Sequence, residues 1–167
     1  MTETLAGVLG FAALPVPVIW GLGLLLVVTI LWDLRQMRIP NRLVLMFVLL
    51  FAAAVAPFLT VPELALRLAV ALLVLAVFVA AFAAGLIGGG DVKLLAALVL
   101  FVPPGTYTLF AFVLSLSLLI CTGLLLVSRR VLPAAGHGWQ FLQERRRLPM
   151  GPAFGAAGLL FWGFLLA

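Results

Sequence analysis

Two aspartates, Asp33 and Asp91, are the residues of this sequence that could carry chemistry. The chain has five acidic residues, and we assign Glu3, Glu63 and Glu144 to a tail and to loops. Asp33 and Asp91 instead border long apolar segments, where acids are costly and usually functional. Two close carboxyl groups share a proton, so one can deprotonate water while the other protonates a peptide carbonyl oxygen. A pair of this kind has the groups that hydrolysis of a peptide bond needs, and that chemistry requires no metal.

Each aspartate also has a simpler explanation when it is taken alone. Asp33 is compatible with an interfacial ion pair to Arg35 or Arg38. Asp91 is compatible with capping the short helix that follows it, because aspartate is favoured at a helix N-terminus. The catalytic interpretation therefore depends on the two residues together.

The sequence offers no competing set of catalytic or metal-binding side chains. His137 is the only histidine and Cys121 the only cysteine. A zinc site built from these residue types needs several ligands, and a serine triad needs a histidine beside the nucleophile. We interpret His137 as a loop residue, and we expect neither a metal nor a cofactor.

The elements that must position the aspartates are membrane helices. The chain is 66% hydrophobic and 9% charged, with a mean hydropathy of +1.38. A soluble domain carries roughly 25% charged residues, and one core could not bury this much apolar surface. We predict an all-α integral membrane protein, with a single transmembrane domain over residues 1–167 and no soluble domain.

The apolar segments predict about six transmembrane helices. Five segments approach the roughly 20 residues that a helix needs to cross the hydrocarbon layer. The fourth is too short to cross alone at about 1.5 Å per residue, and it follows a glycine-rich loop. The predicted spans are residues 11–32, 43–59, 64–87, 92–102, 106–128 and 149–166.

Charge predicts the orientation of these spans. Every lysine and arginine except Arg67 lies in a segment that follows the first, third or fifth span. Positively charged loops stay in the cytoplasm, so both termini are expected outside. Asp33 and Asp91 then lie at the cytoplasmic border, and we expect a multi-pass protein of the cell inner (plasma) membrane.

The residues around Asp33 form the first of two motifs. Asp33 begins the segment DLRQMRIPNRL, in which Ile39 lies six residues further on and is followed by Pro40 and Asn41. Proline is favourable at a helix start and biases the preceding residue toward an extended conformation. We therefore expect a helix to restart at this turn.

The residues that end in Asp91 form the second motif, GGGD. It contains Gly88, Gly89 and Gly90, and Lys93 follows it closely. Glycine lets the backbone approach an extended substrate and adopt φ values that other residues avoid. Lys93 is expected either to shape the local field or simply to anchor the chain at the cytoplasmic side.

The two motifs together resemble those of the type IV prepilin peptidases, which are aspartic proteases of the membrane. In that family one aspartate precedes an I-P-N-like turn by six residues, and the other ends a G-x-G-D motif that presenilin-like proteases share. The C-terminal LPMGPAFGAAG is also similar to the family's closing segment. The resemblance implies that Asp33 and Asp91 are catalytic. It also implies that six residues bind substrate or shape the site, namely Pro40, Asn41, Gly88, Gly89, Gly90 and Lys93.

The resemblance further implies a reaction and a substrate. The family removes a short basic leader from prepilin-like subunits on the cytoplasmic side. The expected partners are therefore a prepilin and the lipid bilayer, with no nucleic acid. Only seven residues separate Asp33 from Asn41, and no Cys-x-x-Cys motif exists. The chain is thus similar to the short, peptidase-only members of Flp/Tad-like and archaeal systems, and we expect no methyl transfer.

The helix ends predict how the two acids share their proton. A helix N-terminus favours negative charge and a C-terminus disfavours it. We therefore expect Asp91 to hold the charge and Asp33 the shared proton. Two other functions remain open: a small multispanning transporter that binds protons or cations at both acids, and a structural assembly protein that tolerates their loss.

Overall fold

The structure, a computed structural model, describes residues 16–131, 140–143 and 148–166. Within these ranges all regular secondary structure is helical, which confirms the predicted all-α class. This part of the chain forms seven α-helices and one short 3-10 helix, Ala56–Phe58. The α-helices are α1 (Val16–Gln36), α2 (Asn41–Ala54), α3 (Val61–Ala83), α4 (Gly89–Val99), α5 (Tyr107–Val131), α6 (Gln140–Gln143) and α7 (Gly151–Leu166).

Four of the described helices are long and apolar enough to cross a membrane. They are α1, α2 together with the 3-10 turn, α3 and α5. Large apolar side chains on these helices point away from the protein; Trp20, Phe112 and Leu119 are 75%, 67% and 72% exposed. Such a surface suits lipid. The prediction of a multi-pass membrane protein is confirmed, and the number of crossings depends on the shorter helices α4 and α7.

The predicted short fourth helix is confirmed, and the other helices enclose it. α4 packs against α2, α3 and α7, and its residues 94–99 are all buried. Just beyond it, the ring of Phe101 meets Phe47, Phe51 and Trp162 edge-on at centroid distances of 6.5, 5.5 and 6.1 Å. Edge-on aromatic pairs add to the stabilisation that burial provides. α4 therefore belongs to the core of the protein.

Arg67 connects the far end of α4 to α3. This side chain is 3% exposed, and its Nη1 donates a hydrogen bond of 3.1 Å to the carbonyl oxygen of Leu100. Its Nε and Nη2 donate to Oε1 of Glu63 at 3.2 and 2.6 Å. A cation at a helix C-terminus stabilises the carbonyl groups that end there. Because Asp91 lies at the opposite end of α4, this contact fixes Asp91 along the helix axis.

Local sequence explains where the helices begin and end. α2 starts at Asn41 after Pro40, whose extended conformation (φ −71°, ψ 143°) confirms the predicted restart. α3 ends at Ala83 and not at the predicted residue 87, because Gly85 has a φ of 74°. The N–H of Leu86 then bonds back to the last turn of α3 at 3.0 Å. This ending requires a left-handed residue, a conformation that glycine adopts without strain.

Close packing between α1 and α7 brings their ends together. A Cβ atom added at Gly155 or Gly158 would collide with side chains of α1, Ile30 and Leu26 respectively. Small residues let helices approach in this way. As a result, the first residue of α7 reaches the last turn of α1, where Asp33 lies.

Candidate active site

Asp33 lies in the last turn of α1 and is 3% exposed. Its Oδ2 accepts a hydrogen bond of 2.7 Å from the backbone N–H of Gly151, the first residue of α7. A buried carboxyl group needs such a donor, because burial without a hydrogen bond is costly. The side chain of Asp33 is therefore held by a second helix and not only by its own.

Asp91 is the third residue of α4, and the backbone N–H of Gly88 bonds to its carboxyl group. Gly88 is the N-cap residue of α4. Asp91 thus reaches back to the cap, which is one half of a capping box. The capping explanation from the sequence describes a real contact of Asp91, and it places this carboxyl at the positive end of the short helix.

The glycine run does not adopt the φ values that the sequence predicted. Gly88 has a φ of −75°, and Gly89 and Gly90 are already helical. The left-handed glycine of this turn is Gly85, two residues beyond the end of α3. The run instead allows Ile39 to pack closely, because a Cβ on Gly90 would lie 3.1 Å from the Cβ and the carbonyl oxygen of Ile39. The two motifs therefore pack directly against each other.

Asp33 and Asp91 line the same cleft, which has a volume of ≈ 570 Å³. The end of α1, the turn from α3 to α4 and the start of α7 enclose it. This size lies within the roughly 300–1,000 Å³ typical of ligand sites. Apolar residues form its walls, and they include Phe82, Leu86, Ile87, Leu148 and Met150. The arrangement can hold a peptide beside two carboxyl groups.

The two carboxyl groups influence each other's protonation. Burial, and then the nearby charge of Asp33, raise the pKa of Asp91 from its ordinary 3.8 to about 7, although the Gly88 N–H lowers it. Asp91 lies outside the four long helices, at the turn that enters α4. Coupled carboxyls titrate as a pair. A carboxyl group with a pKa in this range can give up and take back a proton near neutral pH, as acid–base hydrolysis requires.

Three of the predicted site residues lie beside the cleft. Pro40 precedes α2, Asn41 begins it, and Lys93 lies near the start of α4. Nζ of Lys93 donates a hydrogen bond of 3.0 Å to Oδ1 of Asn41, and both side chains are exposed. They connect α2 to the end of α4 that carries the acid. Of the three predicted glycines, Gly88 and Gly89 line the cleft itself.

Sequence reasoning missed the residues that complete the cleft. Met37 follows α1 with a φ of 50°, which is unusual for a residue with a side chain, and it lines the cleft with Phe82 and Leu148. Gly151 supplies the hydrogen bond to Asp33. The sequence contains one signal for Leu148 and Gly151. Both lie in the segment LPMGPAFG, where a glycine between two prolines marks a helix start.

A small second core supports this side of the cleft. Phe141 and Leu142 of α6 are buried together with Leu125 of α5. Met37 and Leu148 pack against them. Both of these cleft residues are therefore held in place by the short helix α6.

The described part of the chain contains no cluster of side chains suited to a metal ion. Among the described residues, no group of three or more His, Cys, Asp or Glu side chains could hold a metal ion. His137 and Glu144 lie outside these residues. The absence of a metal or cofactor stays a prediction.

The fold and the site by themselves define a class of protein, a multi-pass membrane protein with two carboxyl groups in one cleft. Residues 20–128, more than half of the chain, match the model of the type IV leader peptidase family. The chain therefore belongs to this family, as the two motifs predicted, and membership indicates a peptidase. The matched range contains Asp33 and Asp91 and ends before α7. No curated protein and no solved structure gives a significant match.

Proposed function

We propose that this protein is an aspartic endopeptidase that removes the short basic leader from type IV prepilin-like substrates. Cleavage takes place at the cytoplasmic border of the plasma membrane, and residues 1–167 act as one transmembrane domain. The observation that carries the proposal is the common cleft of Asp33 and Asp91, which lie on two different helices. Family membership supports a leader peptidase in general.

In the proposed reaction the charged carboxylate takes a proton from water while the protonated carboxyl gives its proton to the scissile carbonyl oxygen. The water oxygen bonds to the carbonyl carbon, which yields a tetrahedral diol. The diol collapses when the C–N bond breaks, and the leaving nitrogen takes a proton from the pair. The diol hydroxyl returns a proton to the pair, so the two acids end as they began, with one proton between them.

The walls of the cleft support an extended apolar peptide as the substrate. Phe82 and Leu86 are 51% and 74% exposed beside the two acids. Such side chains offer contact to an apolar residue next to the scissile bond, as at the start of a pilin's membrane helix. In this proposal Lys93, Asn41 and Pro40 shape the site from outside by holding α2 against α4.

The proposal does not include methyl transfer. Residues 37–40 alone connect α1 to α2, which leaves no domain between these helices. The cleaved pilin should therefore carry a free N-terminal amine when this protein acts alone. The intact mass of the product decides the point, because an added methyl group changes that mass.

Cleavage of a candidate prepilin by the purified protein in lipid nanodiscs tests the function. The expected result is a leader peptide and a mature pilin from the full prepilin, with no cut in the same pilin lacking its leader. Proton or cation flux, measured in proteoliposomes without prepilin, tests the transporter alternative. Flux that depends on Asp33 and Asp91, together with no cleavage by the wild type, would replace the peptidase.

A further inference from the structure

We infer that Gly151 is a positioning residue of the active site, whose backbone N–H orients Asp33 and stabilises it as the resting carboxylate of the pair. The inference rests on the proposed peptidase function and assigns each acid its part. Asp33 deprotonates water, and Asp91 protonates the carbonyl oxygen. Gly151 lies beyond residues 20–128, the part of the chain that matches the family.

The contact between Gly151 and Asp33 is short and shielded. The backbone nitrogen lies 2.7 Å from Oδ2 of Asp33, the aspartate is 3% exposed, and Gly151 is buried as well. A hydrogen bond that ends on a charged group is stronger than a neutral one, and it favours the charged form of the acceptor. This contact therefore stabilises a carboxylate at Asp33.

The start of α7 and the end of α1 have opposite electrostatic effects on the carboxyl group of Asp33. The C-terminal end of α1 disfavours a negative charge on Asp33, and this was the basis of the expectation from the sequence. α7 begins at Gly151, so the N–H of Gly151 and the positive end of the helix point toward the same carboxyl group. The N–H of Gly151 and the positive end of α7 therefore counter the effect of the α1 end on this buried carboxyl group.

Within the described part of the chain, Asp91 is the acidic neighbour of Asp33. The charges of Asp91 and Asp33 act on each other across the cleft. Neither α7 nor α6 carries an ionisable side chain. Among the described residues, the other charged groups near this end are cations, namely Arg35, Arg38, Arg42, Lys93, Arg129 and Arg130.

Position 151 has no room for a side chain. A Cβ added there would lie 2.6 Å from Cβ of Asp33, 2.7 Å from its Oδ2 and 2.9 Å from its Cγ. Such distances are shorter than real contacts of a Cβ, so Asp33 would have to turn away from the N–H. Gly163 on the same helix offers a matched control, because an added Cβ meets nothing within 4 Å.

The test compares Gly151→Ala with Gly163→Ala in nanodiscs, with a prepilin as substrate and with kcat and KM measured across pH. Gly151→Ala should lower kcat by about 10- to 100-fold with little change in KM. The acid limb of its pH profile should move up by about one to two pH units, because Asp33 then gives up its proton less readily. Gly163→Ala should keep the wild-type rate and profile.

A second variant separates the hydrogen bond from effects on folding. Glycolic acid incorporated at position 151 by cell-free synthesis replaces the amide between Met150 and Gly151 by an ester. The change replaces the N–H by an ester oxygen of similar size, which cannot donate a hydrogen bond, and it adds no side chain. The ester variant should show the same upward shift of the acid limb, whether or not Gly151→Ala folds.

The outcomes distinguish this inference from the proposed function. A wild-type kcat and pH profile in the ester variant, or a downward shift of the acid limb, would overturn the assignment of Gly151. The peptidase would still stand if Asp33→Asn and Asp91→Asn were inactive in the same assay. Retained cleavage in either of these two variants would instead refute the peptidase itself.

Discussion

The Nζ atom of Lys93 lies 3.0 Å from Oδ1 of Asn41, so the start of α4 is hydrogen-bonded to the first residue of α2. Both side chains are exposed, and neither lines the cleft. Asp91 lies two residues before Lys93 on the same helix. The bond therefore acts on the site through the position of α4.

Lys93→Met and Asn41→Ala should each lower kcat/KM by about 3- to 10-fold, because an exposed charge-assisted hydrogen bond contributes modestly. The kcat/KM of the double variant should be no lower than that of the less active single variant, since both changes remove the same bond. Lys93→Arg keeps a donor and should retain most of the activity. Steady-state cleavage of a prepilin measures all four proteins, and fully additive losses would show that the two residues act independently.

Asp33→Asn and Asp91→Asn should each abolish leader cleavage while the protein stays inserted and folded. An amide cannot pass the proton that the reaction requires. The double variant should be no slower than either single variant, because residues that act as one unit are not additive. Prepilin processing, compared at matched expression and with melting curves as the folding control, is the measurement.

Chelators should leave the wild-type rate unchanged, because two carboxyl groups complete the reaction without a metal. The rate is measured before and after EDTA treatment and dialysis. Activity that is lost on chelation and restored by added zinc would contradict this mechanism.

The raised pKa of Asp91 makes folding stability depend on pH. Between its ordinary value of 3.8 and about 7, Asp91 binds more protons in the folded protein than in the unfolded chain. The free energy of unfolding therefore declines as pH rises through this window and levels off above it. The melting temperature in nanodiscs should accordingly fall between about pH 4 and about pH 7.

Asp91→Asn is the control for this dependence, because it has no proton to lose. It should flatten that part of the stability profile, and an unchanged slope would assign the effect to another group. Cleavage by the wild type should also fall above about pH 7, since the acid of the pair is then deprotonated.

The basic loops predict that the chain between α5 and α7 is cytoplasmic. In a Cys121→Ser background, a cysteine at position 137, outside the described residues, should react with an impermeant maleimide only from the cytoplasmic side. Phe58→Cys is the matched control, because Phe58 is 70% exposed in the turn between α2 and α3, on the opposite side. Strong external labelling at position 137 would overturn this orientation.

The helices and their starts were predictable because their signals are local. The lengths of the apolar segments predicted the long spans, and Pro40 predicted the start of α2. Pro103 and Pro104 predicted where the short apolar segment ends. The end of α3 was placed too late, because apolar residues continue past Gly85 while the backbone already turns.

The walls of the site were not predictable because they depend on packing between distant parts of the chain. Gly151 donates to Asp33 across 118 residues of sequence. Nothing in the local sequence states which helix end will face a given carboxyl group. The expected charge on Asp91 was derived from helix ends alone, and the contact with Gly151 opposes it.

Because other helices enclose α4, we expect Asp33 and Asp91 to respond differently to the thickness of the bilayer. α1 has exposed apolar side chains along its length, and helices of this kind respond to a thicker or thinner bilayer by tilting. α4 is buried, and Arg67 holds its far end through the carbonyl of Leu100. Asp33 therefore lies on a helix that contacts lipid directly, and Asp91 lies on one that is enclosed by protein. We expect the spacing of the pair, and with it the rate of cleavage, to respond to the acyl-chain length of the surrounding lipids.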